Sequence, residues 1–267
     1  MQHLMNIHVS THLNNMIPKV IHYCWFGKKP LPALALKCIK SWKKFLPDYE
    51  IKEWNETNFD VNIIPYTQEA YQAGKYAFVS DYARFWILYH YGGLYFDTDV
   101  EVIKNMDDII ARGPFMGCES EASDTSVASV APGLGLGVNP GLGLGVNPGL
   151  GLYKEFLDLY ANLHFKDKDG KLNTKTIVDY TTTLLVQHGL TSSNEIQEVA
   201  GVTIYPKCYF NPWKNFAELE ITEKAFSIHH CAGSWATPKK RLHKKIRQII
   251  GPKIWYMIKP ILKILFR

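Results

Sequence analysis

The stretch SDYARFWILYHYGGLYFDTDVEV, residues 80–102, reads as a helix, a stop and a strand. Apolar and aromatic residues crowd the first part. Gly92-Gly93 then ends the run, as glycine does just past a helix C-terminus. LYFDTDVEVI (Leu94–Ile103) continues as a buried-type strand with Asp97 and Asp99 toward its end. On an unbroken strand, residues i and i+2 share a face. The two carboxylates are therefore expected side by side, where like charges repel. In open α/β sheets, ligands bind beyond the carboxyl ends of the strands.

Upstream, KVIHYCWFG (Lys19–Gly27) reads as a buried strand ending in a glycine turn. LPALALKCIKSWKKFL carries apolar residues at Leu34, Cys38, Ile39, Trp42, Phe45 and Leu46, the spacing of an amphipathic helix. YEIKEWN follows as a second strand. Strand–helix–strand is the opening of an α/β sheet. EAYQAGKYAFVSDYARFWILYHYGG is expected to be mostly one helix. Downstream, further helices are expected over LYKEFLDLYANL and NTKTIVDYTTTLLVQHGL, and strands over VTIYPKCYFNPW and AFSIHHCAGSW.

Between these lies PGLGLGVNPGLGLGVNPGLGL (132–152), an octapeptide present twice and begun a third time. Period eight matches no solenoid class, and collagen needs glycine at every third position. One copy suffices for a strand (LGLGV) and a turn (NPG). The additional copy is expected to enlarge a loop, since loops tolerate insertion cheaply.

At 267 residues, 46% hydrophobic and 21% charged, the chain can bury a sizeable core. Its net charge of +5 is unevenly spread. The segment 239–267 holds ten Lys or Arg and no acid, leaving 20 basic against 25 acidic groups in 1–238. A mildly acidic body argues against nucleic acid as a partner. The tail KKRLHKKIRQIIGPKIWYMIKPILKILFR alternates cations with apolar residues, a pattern suited to an anionic membrane surface. Lys interrupts it too often for a transmembrane helix. Five cysteines without a CxxC pair fit free thiols in a reducing compartment. The first residues lack the pattern of a secretory signal. The organisation expected is a catalytic domain over 1–238 and a basic amphipathic tail over 239–267. The location expected is the cytoplasm, at the inner face of the plasma membrane.

Two close carboxylates inside a fold are tolerable if a cation neutralises them, and oxygen ligands suit Mg²⁺ or Mn²⁺. An EF-hand fails, because the sixth loop position is Val102 where glycine is required. A haloacid dehalogenase-type phosphatase with Asp97 as nucleophile is an alternative, although that motif normally closes the first strand. A non-catalytic, membrane-associated sugar-binding protein is another. Asp81 and Arg84, three apart, share a helix face. On so apolar a helix, such a pair points to a polar cleft.

IPKVIHYCWFG, SDYARFWILYHYGGLYFDTDVEV and HHCAGSW, in that order, resemble the DXD-motif sugar transferases (glycosyltransferase family 32-like). That family includes mannosyltransferases and bacterial capsular polysaccharide or lipopolysaccharide glycosyltransferases. The resemblance implies an α/β fold of GT-A type: a Rossmann-like nucleotide-sugar-binding unit with a mostly parallel mixed sheet flanked by helices. It implies a retaining, metal-dependent transfer of a hexose or N-acetylhexosamine from a nucleotide-sugar to a glycan or lipid-linked glycan, in surface polysaccharide assembly. A UDP-sugar is favoured over GDP-mannose as donor, with Mn²⁺ or Mg²⁺ as cofactor. Carried over residue by residue, Trp25 stacks on the base and Asn58 contacts base or ribose. Asp81 and Arg84 hold the donor sugar, and Tyr95 lines its pocket. Asp97 touches the ribose and the metal's shell, and Asp99 binds the metal. His230 supplies a third metal ligand, and Ser234 and Trp235 contact the diphosphate.

Overall fold

The chain opens with β1 (Val20–Cys24), α1 (Ala33–Phe45) and β2 (Glu50–Trp54), and the two strands pair in parallel with Ile21 opposite Ile51. This computed structural model describes residues 17–138, 150–215, 218–233 and 246. On α1, Ala35, Cys38 and Trp42 are buried, at the three- and four-residue spacing of one helix face. Lys43 and Lys44 occupy its last turn, where cations suit the helix dipole.

The next helical region divides in two. α2 (Pro65–Gln72) stops and α3 (Tyr76–Tyr91) restarts, because Gly74 adopts φ +67° between them. The single helix expected from the sequence is thus broken at its one interior glycine. After α3, Gly92 and Gly93 take φ of +63° and +95°. A Cβ on Gly93 would lie 2.6 Å from the Val20 carbonyl, so only glycine lets the chain pass here. His22 on β1 clasps the same turn. Its Nδ1 accepts from Trp54 Nε1 at 3.0 Å, and its Nε2 donates to the Gly92 carbonyl at 3.0 Å. Burial holds the His22 pKa down to about 4, so the ring is neutral at ordinary pH.

The strand expected over Leu94–Ile103 also divides. β3 (Gly93–Tyr95) pairs in parallel with β1 in the main sheet. The chain then turns, with Val100 N–H donating to Asp97 O at 3.0 Å. β4 (Val100–Val102) leaves for a separate antiparallel pair with β11 (Ser227–His229). Asp97 and Asp99 thus sit on the turn between two sheets, not side by side on one strand.

The remaining elements are α4 (Asp107–Ile110), β5 (Phe115–Gly117), a 3₁₀ turn (Pro132–Leu134), β6 (Leu136–Val138), α5 (Leu150–Ala161) and α6 (Ile177–Gln187). They continue with β7 (Gln197–Val199), β8 (Val202–Tyr205), α7 (Lys207–Phe210), β9 (Trp213–Asn215) and β10 (Glu218–Leu219). α6 starts at a capping box in which Thr176 and Asp179 satisfy each other's backbone N–H. The strand expected across VTIYPKCYFNPW ends at Tyr205, and Pro206 opens the short α7. β5, β7, β9 and β10 are short, and the sequence pattern did not mark them.

The first octapeptide copy forms the 3₁₀ turn and β6, the strand expected of LGLGV. Residues 139–149 lie outside the described residues, as do residues 1–16, Ser234, Trp235 and, apart from Ile246, the tail. The expectations of an enlarged loop, of no secretory signal and of a membrane-binding tail therefore concern residues outside those described. Among the described residues, no helix is long and apolar enough to cross a membrane.

The main sheet has the order β2-β1-β3-β6-β5-β8-β7. β6 and β7 run against the other five strands, so the sheet is mixed and mostly parallel, as expected. Its two faces bury separate cores. Ile21, Leu94, Phe96, Phe115 and Tyr205 face one, with Trp42 of α1. Tyr95, Met116 and Ile204 face the other, with Phe85 of α3 and Phe156 of α5. This alternation at period two is what a sheet covered on both faces requires. The carboxyl ends of β2, β1, β3, β5 and β8 open on one edge.

Candidate active site

Three adjacent parallel strands bring the first site residues to that edge. β2 ends at Trp54, opposite Cys24 of β1. β1 leads into Trp25, and β3 leads into Asp97. Trp25 is half-buried, and its indole N–H donates to the Lys29 carbonyl at 2.6 Å. Asn58 sits in the turn after β2, but its amide is occupied. Its Oδ1 accepts from Asn55 N–H at 2.8 Å, and its Nδ2 donates to the Glu53 carbonyl at 2.8 Å. The expected ligand contact is here a brace of the turn. Gly27, at φ +94°, packs so tightly on the Tyr76 ring that a side chain would collide with it. The β1 exit is thereby held to the start of α3.

α3 carries buried Asp81 and Arg84 into an ion triad with the half-buried Asp97. Arg84 Nη2 lies 3.1 Å from Asp81 Oδ1 and 3.3 Å from Asp97 Oδ1, while Nη1 reaches Asp97 Oδ2 at 3.4 Å. The contact with Asp97 is a two-point fork. Arg84 Nε donates to the Ser80 carbonyl at 3.1 Å, and the guanidinium lies 5.0 Å over the Tyr95 ring. Tyr95 is itself fully buried, and only its hydroxyl reaches the site, donating to Asp97 Oδ1 at 3.1 Å. One guanidinium thus faces two carboxylates. Burial raises Asp81 to about 7, against the pull of Arg84, and Asp97 adds to the rise. Arg84 is held above its ordinary value; burial opposes its charge, but Asp97 and Asp81 outweigh burial.

The 3₁₀ turn of the first octapeptide copy closes over Asp97, whose N–H donates to the Gly133 carbonyl at 2.9 Å. A Cβ on Gly133 would overlap Asp97 Oδ2. Sequence reading placed no site residue in the repeat. Its glycine-proline composition could have signalled a close backbone approach.

Asp99 faces β11. His229 Nε2 lies 3.4 Å from Asp99 Oδ1, and Ala232 N–H donates to Oδ2 at 2.6 Å. Burial alone would raise the Asp99 carboxyl; the charge and hydrogen bond of His229, with Ala232 N–H, bring it down to about 2. His229 rises well above its ordinary value: burial disfavours its charge, and Asp99 outweighs burial. His230, the histidine expected at the metal, points away. Its Nε2 lies 2.8 Å from Glu101 Oε2, which Lys37 Nζ also reaches at 2.7 Å. Adjacent strand residues face opposite ways, and the β4–β11 register places His229 opposite Val100, turned toward Asp99.

Among the described residues, no three His, Cys, Asp or Glu side chains gather on one point. Asp99 and His229 are the pair that could hold a divalent cation. An oxygen and an imidazole nitrogen suit Mn²⁺ or Mg²⁺ when phosphate oxygens and water complete the shell. Such ions habitually keep water and substrate phosphates, so a partial protein shell fits them.

Residues 32–116 match the family described as "Glycosyltransferase sugar-binding region containing DXD motif". Over 111 residues the chain is 31% identical to inositol phosphoceramide mannosyltransferase 1 of Schizosaccharomyces pombe, covering 38% of this chain and 33% of that protein. Over 110 residues it is 33% identical to uncharacterized glycosyltransferase L373 of Acanthamoeba polyphaga mimivirus, covering 38% and 42%. The match thus spans about a third of the length of the fungal relative. A solved glycosyltransferase involved in glycosylating the major capsid of PBCV-1 is similar at 14% identity and TM-score 0.46, covering 86% of this chain and all of that one. The segment that matches this DXD-containing sugar-binding region, 32–116, holds Asp81, Arg84, Tyr95, Asp97 and Asp99.

Proposed function

We propose that the protein is a metal-dependent glycosyltransferase of GT-A type, moving a hexose from a nucleotide-sugar to a glycan or lipid-linked acceptor. One observation carries the reading: the Asp81–Arg84–Asp97 triad adjoins the Asp99–His229 pair on one turn at the carboxyl edge of a mostly parallel sheet. Through Asp97 and Asp99, two residues apart on that turn, hydroxyl acceptors and a cation site are brought next to each other. In the proposed complex, Trp25 stacks on the base, and Asp81, Arg84 and Tyr95 define the sugar pocket. Asp97, Asp99 and His229 meet the metal and diphosphate, with Ser234 and Trp235 following in the chain. A bound divalent ion would supply stabilisation of negative charge on the leaving diphosphate. The side chains named would orient the donor, and Arg84 would hold Asp97 in place. Retention of configuration follows the family resemblance.

The name of the fungal relative favours mannose as the transferred sugar and a lipid-linked acceptor, and so weighs against a preference for a UDP-sugar. The relatives named are fungal and viral, and none bears on a bacterial capsule or lipopolysaccharide. Attachment of the basic tail (239–267) to an anionic membrane from the cytoplasmic side would bring the catalytic domain (1–238) to such an acceptor. The phosphatase reading is weaker, because the DXD turn follows the third strand in chain order and Asp97 is forked by Arg84.

The test is nucleotide release from a panel of GDP-mannose and UDP-hexoses, with and without Mn²⁺. Asp99→Ala is expected to abolish metal-dependent release while folding is kept. Near-normal release sinks the metal assignment, and intact donors beside hydrolysed phosphomonoesters favour the phosphatase.

A further inference from the structure

The residues assigned above lie at the exits of β2, β1 and β3. The exit of β5, across the antiparallel β6, holds an unassigned carboxylate. Glu119 stands two residues beyond Gly117, the end of β5. β5 runs parallel to β3, so Glu119 emerges on the same edge as Asp97. Its main chain is fixed on both sides. Its N–H donates to the Ser129 carbonyl at 2.8 Å, and its carbonyl accepts from Asn211 Nδ2 at 2.9 Å. Asn211 is 6% exposed, and its Oδ1 has no partner among the described residues.

The side chain is different. Glu119 is half-buried, yet among the described residues nothing hydrogen-bonds or ion-pairs with its carboxyl. Lys207 stands two residues beyond Tyr205, the partner of Gly117 on β8, but it pairs with Glu121 at 3.8 Å. Burial raises the Glu119 carboxyl, His229 draws it down and Asp179 raises it again, so it lies within electrostatic reach of both. The carboxyl oxygens of Glu119 are not among the fully buried atoms that lack a partner, so they stay open to solvent and to a ligand, on a backbone held on both sides. Carboxylates accept hydrogen bonds only, and a sugar or polyol offers hydroxyl donors.

The order along the edge is Asn58, Trp25, Asp97, then Glu119, so Glu119 lies on the far side of the DXD turn from the expected base contacts. We propose that Glu119 is the acceptor-side residue of the site, accepting a hydrogen bond from a hydroxyl of the incoming sugar or polyol and fixing its orientation. Asn211 acts through it, as a positioning residue. The proposal rests on the glycosyltransferase reading.

The experiment uses the full chain with Glu119→Gln and Glu119→Asp, each checked by thermal melting. Nucleotide release by donor hydrolysis reports the donor half alone. Binding of methyl α-mannoside, methyl β-galactoside and myo-inositol, with Mn²⁺ and nucleotide present, is followed by saturation-transfer NMR. In Glu119→Gln, hydrolysis is expected within twofold of wild type and probe affinity at least tenfold weaker, with Glu119→Asp between. Equal probe binding in Glu119→Gln and wild type overturns the proposal, as does hydrolysis falling in parallel with binding. Failure of all three probes to bind wild type also overturns it. A wild type that releases nucleotide from no donor sinks the transferase reading itself, and this proposal with it.

Discussion

The N–H of Asp97 donates to the carbonyl of Gly133 at 2.9 Å, and the Cα of Gly133 leaves no room for a side chain beside the Asp97 carboxylate. The first octapeptide copy is therefore a wall of the site as well as a strand of the sheet. Gly133→Ala is expected to displace Asp97 from its fork with Arg84, cutting donor turnover at least tenfold and lowering the melting temperature. Gly151, a glycine of the third copy, lies in α5, and a Cβ there would meet nothing within 4 Å. Gly151→Ala should be neutral or slightly stabilising, because Gly151 lies in the first turn of α5 and a Cβ there is unobstructed. Melting curves and nucleotide release on both variants decide. Equal losses from the two would contradict the packing argument.

The two neighbouring histidines separate cleanly. His229→Ala should raise the Mn²⁺ concentration needed for half-maximal turnover by tenfold or more, whereas His230→Ala should leave it within twofold. Because His229 is held protonated by Asp99, cation uptake must release that proton, and the Mn²⁺ requirement should rise as pH falls. A larger defect in His230→Ala would reverse the assignment.

Asp81 weighs function against stability. Its carboxyl is raised to about 7 by burial, against an ordinary value near 4. Between those values the unfolded chain releases this proton and the folded chain keeps it, so the folded state loses stability as pH rises through that window. Asp81→Asn removes the cost. It should melt at or above the wild-type temperature at pH 8, with the difference shrinking below pH 7. Donor turnover should fall at least tenfold at every pH. Melting below wild type at pH 8 would mean that the Arg84 contact outweighs burial.

His22 gives the opposite slope. Its folded pKa is lowered to about 4, so the unfolded chain takes up a proton first as pH falls below about 6.5. Stability from this residue is complete above that point and is lost toward pH 4, by up to about 3 kcal/mol. His22→Gln should be less stable at pH 7 and should flatten this part of the urea-unfolding profile. An unchanged profile in the variant would exclude His22 as its source.

Much of the site was legible in local sequence. Asp81 and Arg84 lie three apart on one helix, and Asp97 follows a glycine-forced turn only 13 residues past Arg84, so local geometry brings them together. The strand–helix–strand opening was legible for the same reason, since period and turn chemistry are local. The short β5, β7, β9 and β10 were not legible, because each is three residues or fewer and none belongs to a longer apolar run or a marked motif.

By itself, the sequence determined the α/β class, the helix with its glycine stop, and a motif in which Asp97 and Asp99 follow the end of a strand. The tertiary structure decided which histidine meets Asp99. Strand periodicity says that His229 and His230 face opposite ways, but only the register of β11 against β4, far earlier in the chain, says which faces inward. The same holds for the octapeptide. Its copies are identical as text, yet Gly135 of the first copy lies against the rings of Phe96 and Phe115, and its counterpart Gly151 lies in an open helix turn. Long-range pairing and packing assign different physical roles to the same letters, and no local pattern encodes them.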